Sequence, residues 1–287
     1  MPNFRIITDS PSDVPAELVA QYRMIVLPAY INFSAAESVP DDGVAITKTD
    51  FYERLAKAEL LPTTAAYSPG EAEKAMRHLL EDEGAEHVFS IHTTKGVSAM
   101  VESSRIAARE VGEDKVTVLD TGSLSMGSGW CVVGAARAIA AGADYQGVLD
   151  AFESIKARVD LITVPSTMEY LRRSGRVNSM VAGVGDVLQI KPFVRVLNGE
   201  VTRAGRVRTE KKIIPKLVDM ARDYAPLESV AILHTGYPEG AAALEAALQA
   251  ALGDLLPADC VTTIVTPAIG ANFGPGGVGI AMVRKAQ

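Results

Sequence analysis

Short apolar runs and helical-period stripes alternate along the first half of the chain, and that alternation restricts the fold more than any other feature. Phe4–Thr8, Ile25–Phe33, Val88–His92 and Val116–Leu119 read as strands. Pro15–Tyr22, Thr47–Ala58 and Pro69–Glu83 read as helices. Val97, Met100, Val101, Ser104, Ala108 and Val111 form a further stripe with a helical period, not a period of two. Gly127–Ala141 and Tyr145–Ala157 extend the series. Repeated strand-then-helix order predicts a parallel sheet with helices on both faces.

The pattern changes near Asp160. Leu161–Val164 reads as a strand and Met168–Arg173 as a short helix. Lys191–Leu197 and Glu200–Val207 flank Asn198-Gly199, the strongest short hairpin signal in the chain. Thr209–Tyr224 and Glu239–Leu252 read as helices, and Val230–Leu233, Val261–Val265 and Val278–Val283 as strands. We therefore expect residues 1–160 to form an N-terminal Rossmann-like α/β domain, and 161–287 a C-terminal α/β domain with a mixed, partly antiparallel sheet. No floppy linker, low-complexity tract or internal repeat separates them, which favours a pocket between the two.

A hydrophobic fraction of 48% over 287 residues is ample for a core and excludes a disordered or disulfide-stapled chain. The two cysteines, Cys131 and Cys260, lie far apart, so a cysteine-based zinc site is excluded and a reducing compartment is expected. A net charge of −7 argues against bulk nucleic-acid binding while allowing a local basic patch. The start, Met1 to Asp9, has no signal-peptide apolar region, and Gly127–Ala143 carries Arg137 and is short for a bilayer span. A cytoplasmic protein is expected.

Several enzyme motifs fail on context. Gly274-Pro-Gly276-Gly-Val-Gly279 matches a dinucleotide fingerprint but precedes the last strand instead of following the first. Ser123-Leu-Ser125-Met-Gly127 lacks the first glycine of a nucleophile elbow. His78, His87, His92 and His234 show no metal-ligand spacing, although His92 and His234 end strands where sites usually form. Ser68, with Pro69 and Glu71, spells a capping box, which leaves Thr64 unexplained. His92-Thr93-Thr94-Lys95-Gly96-Val97-Ser98 runs from a strand end to a helix start. Its Thr94 and Ser98 either cap that helix or, with its exposed amides, bind an anion. Thr8-Asp9-Ser10 and Asp120-Thr121-Gly122-Ser123 follow their strands in the same way, as turn formers or crevice residues. Arg203, Arg206, Arg208, Lys211, Lys212 and Lys216 form one basic group and Arg172, Arg173 and Arg176 a second. Each is either a solvated face or a docking surface for an acidic partner or phosphate. The residues alone thus support a hydroxyl-rich, anion-accepting crevice without evident catalytic machinery.

Taken in order, these segments resemble the DegV family of bacterial fatty-acid-binding proteins. Thr8-Asp9-Ser10 with Asp13 is similar to the family's T-D-S-x-x-D, and Asp42-Gly43 with Ile46-Thr47 to its D-G-x-x-I-T. Pro62-Thr63-Thr64 with Ser68-Pro69-Gly70, Val97-Ser98, Asp120-Thr121, Ser125-Met126-Gly127 and Leu171–Arg176 resemble further family segments. So do Lys191-Pro192, Arg206-Val207-Arg208 and the closing Gly270–Gly279. The likeness spans essentially the whole chain. It implies a two-domain α/β fold of the DegV (EDD) type with a lipid tunnel between the domains. The carboxylate of a long-chain fatty acid would be held by Thr64 and Ser98, with Thr94 nearby and Asn272 where the family has a histidine. Ala65-Ala66 stand in place of Ser-Gln, and Ala99-Met100-Val101-Glu102 in place of Gly-Thr-Tyr-Gln. The resemblance implies a carrier without metal, cofactor or catalytic residue of its own. It would present its acid to a separate, dihydroxyacetone-kinase-like fatty acid kinase that makes the acyl phosphate. Arg176 and Arg208 would assist that exchange or contact the docked kinase, and transient membrane contact for lipid exchange is expected. Two other readings compete: a small-molecule hydrolase or phosphotransferase using Ser98 or Asp120, and a lipid-responsive interaction protein with no kinase partner.

Overall fold

The computed structural model describes residues 2–176 and 190–286. The chain begins with β1 (Phe4–Asp9), α1 (Ala16–Gln21), β2 (Ile25–Leu27), β3 (Tyr30–Ser34), β4 (Glu37–Pro40) and α2 (Lys48–Ala56). It continues through β5 (Thr63–Ala65), α3 (Pro69–Arg77), β6 (His87–His92), α4 (Met100–Val111), β7 (Val116–Asp120) and α5 (Ser125–Ala140). Next come α6 (Tyr145–Arg158), β8 (Val159–Val164), α7 (Glu169–Ser174), β9 (Lys191–Leu197) and β10 (Glu200–Val207). Last are α8 (Ile213–Tyr224), β11 (Leu227–His234), α9 (Pro238–Leu252), β12 (Cys260–Ile264), α10 (Pro267–Phe273) and β13 (Val278–Arg284).

The expected parallel sheet is present, in the order β2-β1-β6-β7 with every pair parallel. Its strands are apolar on both faces because both are covered. Ile7 and Val88 pack with Phe51, Met76 and Leu79 on one side, while Ile6 and Phe89 pack with Met126 and Trp130 on the other. The second sheet runs β10-β9-β8-β13-β11-β12, antiparallel except for the β11–β12 pair. It too is covered twice: Leu161, Leu233 and Ala281 face α5, and Ile162, Ile280 and Met282 face Leu217 of α8 and Leu244 of α9. The fold class is therefore α/β with a parallel and a mixed sheet, as the sequence suggested.

Helix α5 lies between the sheets and touches β1, β6, β8, β11 and β13. Residues Ser125 to Val133 are all buried, so the first half of this helix has no solvated face. That explains the long run of small and apolar residues; among the described residues no helix is long and apolar enough to cross a membrane. A side chain on Gly127 would meet Ser123 Oγ at 2.2 Å and Leu161 Cβ at 3.1 Å, so the helix can approach β8 this closely because that residue is glycine.

The single strand expected over Ile25–Phe33 is two strands in different sheets. Pro28 lacks an N–H to continue the ladder, and Ala29 N–H is taken by Ser10 Oγ at 3.0 Å. The chain then turns into a three-stranded antiparallel sheet, β4-β3-β5, whose two outer strands were not anticipated. The capping box forms as expected, Ser68 Oγ accepting from Glu71 N and Glu71 returning a bond to Ser68 N at 2.8 Å. The hairpin turn also forms, with φ of +51° at Asn198 and +81° at Gly199. Its tip is seated on the other sheet's loops: Gly199 N donates to Gly122 O at 2.7 Å.

Helix α10 is tied to the parallel-sheet side through its first turn. Asp13 Oδ1 accepts from Thr266 N at 2.8 Å, and Asp41 Oδ2 accepts from Thr266 Oγ1 at 2.5 Å and Ala268 N at 3.1 Å. Lys48 Nζ bonds Asp13 at 3.1 Å and Ile264 O at 2.7 Å, and Ser125 Oγ donates to Asp13 at 2.6 Å. Burial raises both carboxyls above the usual carboxylate range, with the hydrogen bonds opposing it. A carboxyl raised in the folded state binds its proton more tightly there than in the unfolded chain. This contribution to stability therefore falls as pH rises from the ordinary carboxylate range through the raised value. Asp41→Ala should cost about 1–3 kcal/mol by stranding its donors. Asp41→Asn keeps an acceptor without the buried charge, so it should cost less and flatten that part of the pH profile. Denaturant titrations between about pH 4 and 8 check both outcomes.

Candidate functional site

The two sheets enclose a cavity of about 720 Å³. Its apolar walls include Leu161, Val194, Val196 and Leu233 of the mixed sheet, with Met100 and Phe273 from α4 and α10. Thr64, Ser98, Asn272 and Arg176 line the same cavity. They come from four separate segments: β5, the loop entering α4, the last turn of α10 and the residue pair after α7. Thr64 is positioned by the unanticipated small sheet, where it pairs with Ile31.

Three of these side chains form one node. Arg176 donates through Nε to Val97 O at 3.0 Å, through Nη2 to Thr64 Oγ1 at 3.2 Å, and through Nη1 to Asn272 Oδ1. Asn272 Nδ2 donates to Ala268 O at 2.9 Å and to Thr64 Oγ1 at 3.4 Å. Thr64 Oγ1 thus accepts twice, which leaves its own proton to donate toward the cavity. Ser98, beside Val97, accepts from Met100 N at 3.4 Å and is in the same position to donate. Among the described residues every hydrogen-bond partner of Arg176 is neutral, and no carboxylate lies within ion-pair distance of it. Partial burial lowers its pKa, although a guanidinium stays charged at neutral pH.

Other expected residues lie elsewhere. Thr94 is not among the cavity-lining residues; its Oγ1 accepts from Gly96 N at 3.2 Å inside the loop. Its neighbour Thr93 lines the cavity instead, held by Asp9 through Oγ1 and N, both at 2.8 Å. Arg208 is exposed just past β10 and does not line the cavity. Asp120 accepts from Gly122 N at 2.8 Å and Lys95 N at 3.3 Å, so it shapes the turn and is not a cavity residue. His78 is exposed and bonded to Asp82 at 2.8 Å. Two charged residues of the cavity lining went unnoticed in the sequence, Lys95 and Glu102. Glu102 follows Ser98 by one helical turn, a spacing that could have flagged it.

A family model described as an uncharacterised protein of the DegV family matches residues 3–285. This chain belongs to the DegV family. A DegV domain-containing protein of Deinococcus radiodurans is 32% identical over 277 residues, covering 96% of this chain and 97% of the relative. A DegV family protein of Thermus thermophilus, described as fatty-acid binding, has a solved structure similar to this one with a TM-score of 0.89. It is 28% identical, and the match covers 98% of this chain and 99% of that one. A DegV lipid-binding protein of Thermotoga maritima superposes with a TM-score of 0.86 at 26% identity, covering 99% and 98% of the two chains.

This DegV-family chain also contains a buried Asp–His–Ser series. Asp9 Oδ2 lies 3.2 Å from His92 Nδ1, and His92 Nε2 lies 2.9 Å from Ser104 Oγ and 2.6 Å from Ser90 Oγ. The order is that of an acyl-transfer triad. However, His92, Ser90 and Ser104 are fully buried and none of them lines the cavity. Tyr67 closes the network, its hydroxyl 2.9 Å from Ser104 Oγ and 3.2 Å from His92 Nδ1. The arrangement fastens α4 and the Tyr67 segment to β6. Ser104→Ala should therefore lower stability by about 1–2 kcal/mol in urea titrations. The thermal shift produced by cavity ligands should be unchanged.

Proposed function

We propose that this protein is a carrier that holds a long-chain fatty acid in the cavity. The acyl chain lies along Leu161, Val194, Val196 and Leu233, and the carboxylate meets Thr64, Ser98, Asn272 and Arg176. The observation that carries this reading is the Arg176 guanidinium, set at an apolar cavity with only neutral partners among the described residues. The guanidinium is solvent-exposed in the empty protein and fixed by its neutral partners, so it offers a charged donor to an incoming carboxylate, which accepts further hydrogen bonds from Thr64 and Ser98. Burying roughly fourteen methylenes contributes up to about 11 kcal/mol, before association and ordering costs. The fatty-acid-binding Thermus protein and the lipid-binding Thermotoga protein support the same ligand class.

In this reading residues 1–160 and 161–287 are the two domains that flank the lipid tunnel. Arg176 serves the carboxylate directly, a more immediate role than the partner contact inferred from resemblance. Arg208, exposed beside Arg206, serves a partner instead. That partner is a separate dihydroxyacetone-kinase-like fatty acid kinase, which transfers a phosphoryl group from its nucleotide to a carboxylate oxygen and yields the acyl phosphate. The acid is loaded during transient membrane contact.

Organic extraction of purified protein followed by mass spectrometry should release a long-chain fatty acid in near-stoichiometric amount. Arg176→Ala and Thr64→Ala should each weaken binding by about tenfold or more, the scale of one charge-assisted hydrogen bond. An empty extract with no uptake of added fatty acid would overturn the carrier reading. Failure of the loaded protein to bind the cognate kinase would overturn only the kinase step.

A further inference from the structure

The charges at the cavity limit what head group it accepts. Among the described residues, the charged Asp, Glu, Lys and Arg side chains that line it besides Arg176 are Lys95 and Glu102. These two cations and one anion carry a net charge of +1. Glu102 stands one helical turn beyond Ser98, on the first turn of α4. Neither lining cation neutralises it: among the described residues its ion-pair partner is Arg105, at 3.9 Å, with the Glu102 and Arg105 side chains 58% and 39% exposed. Such a loose, solvated pair leaves most of the Glu102 charge acting on its surroundings.

We propose that Glu102 is a specificity-determining residue that makes the cavity select singly charged head groups over doubly charged ones. A carboxylate brings the lining to neutrality. A phosphate monoester or acyl phosphate, with a charge of about −1.5 to −2 near pH 7, leaves it negative. Repulsion from Glu102 grows with the charge of the head, so a dianion loses about twice as much in logarithmic affinity as a monoanion. The residue thus favours retention of the acid and departure of its phosphorylated product. This inference rests on the fatty-acid reading and deepens it.

The test is displacement of a fluorescent fatty acid by hexadecanoate, hexadecyl phosphate and hexadecanol, using the full-length protein and its Glu102→Gln and Glu102→Lys variants. Relative to hexadecanoate, hexadecyl phosphate should gain about threefold or more in Glu102→Gln and further in Glu102→Lys. Hexadecanol should be unchanged, and about 0.5 M salt should shrink the differences. An unchanged phosphate-to-carboxylate ratio overturns the proposal, as does an equal shift of all three ligands, which would mean that Glu102 acts through packing. Failure of hexadecanoate to displace the probe from the wild-type protein would instead overturn the fatty-acid reading.

Discussion

The capture of α10 by Asp13 and Asp41 is the constraint on which the site depends. The first amides of a helix have no partner within it, and here two carboxylates from distant segments supply acceptors. Thr266 receives both, through its amide and its hydroxyl. Seven-residue α10 spans about 10 Å, so fixing one end fixes where the other end points. That other end carries Asn272, which reaches Thr64 and accepts from Arg176. Asp13 and Asp41 therefore serve the site at one remove, by aiming a helix. Their raised proton affinity is the cost of holding charge in a buried seam.

Two further contacts keep the cavity walls in register. Helix α5 is enclosed between the sheets, and Gly127 lets it lie directly against Ser123 and Leu161. The Asn198-Gly199 turn docks against the loop after β6, where a side chain at Gly96 would meet Gly199 O at 2.1 Å. Both approaches bring β8 and β9, which carry Leu161, Val194 and Val196, to the loop that bears Ser98. The apolar wall and the polar node therefore belong to one packed unit, and a ligand spanning both meets a largely preformed surface.

Much of the architecture was legible because its elements are long enough to show a period. The parallel strands, α4, the capping box at Ser68 and the hairpin at Asn198-Gly199 all declare themselves through spacing or turn chemistry. The three-stranded sheet did not. Two of its strands span three and four residues, too few for alternation to register, and β5 pairs with a segment distant in sequence. Pro28 was the available sign that Ile25–Phe33 is not one strand. Thr64 and Ser98 were identified through resemblance and do line the cavity, whereas Thr94 and Thr93 exchange places. Which of two adjacent threonines faces a cavity depends on loop dihedrals that composition does not encode. Asp41 was hidden for another reason: Asp42, the residue in the recognisable motif, folds onto its own turn by accepting from Val44 N and Ala45 N at 2.8 Å.

The polar node has the character of a site held ready at some expense to the folded state. Asn272 can orient Thr64 and Arg176 through a donor and an acceptor, yet it adds no charge of its own near neutral pH. Its partners therefore hold the guanidinium in place without neutralising it. A carboxylate in the same position would pair with Arg176 and compete with an anionic ligand for it. The neutral set reverses that balance: the counter-charge is left for the ligand to supply, and binding recovers an interaction that folding left incomplete. Glu102 stands far enough into solvent to temper the charge of the lining without quenching Arg176. Geometry at the node and charge around it thus divide the work, the first fixing where a head group rests and the second how much charge it can carry.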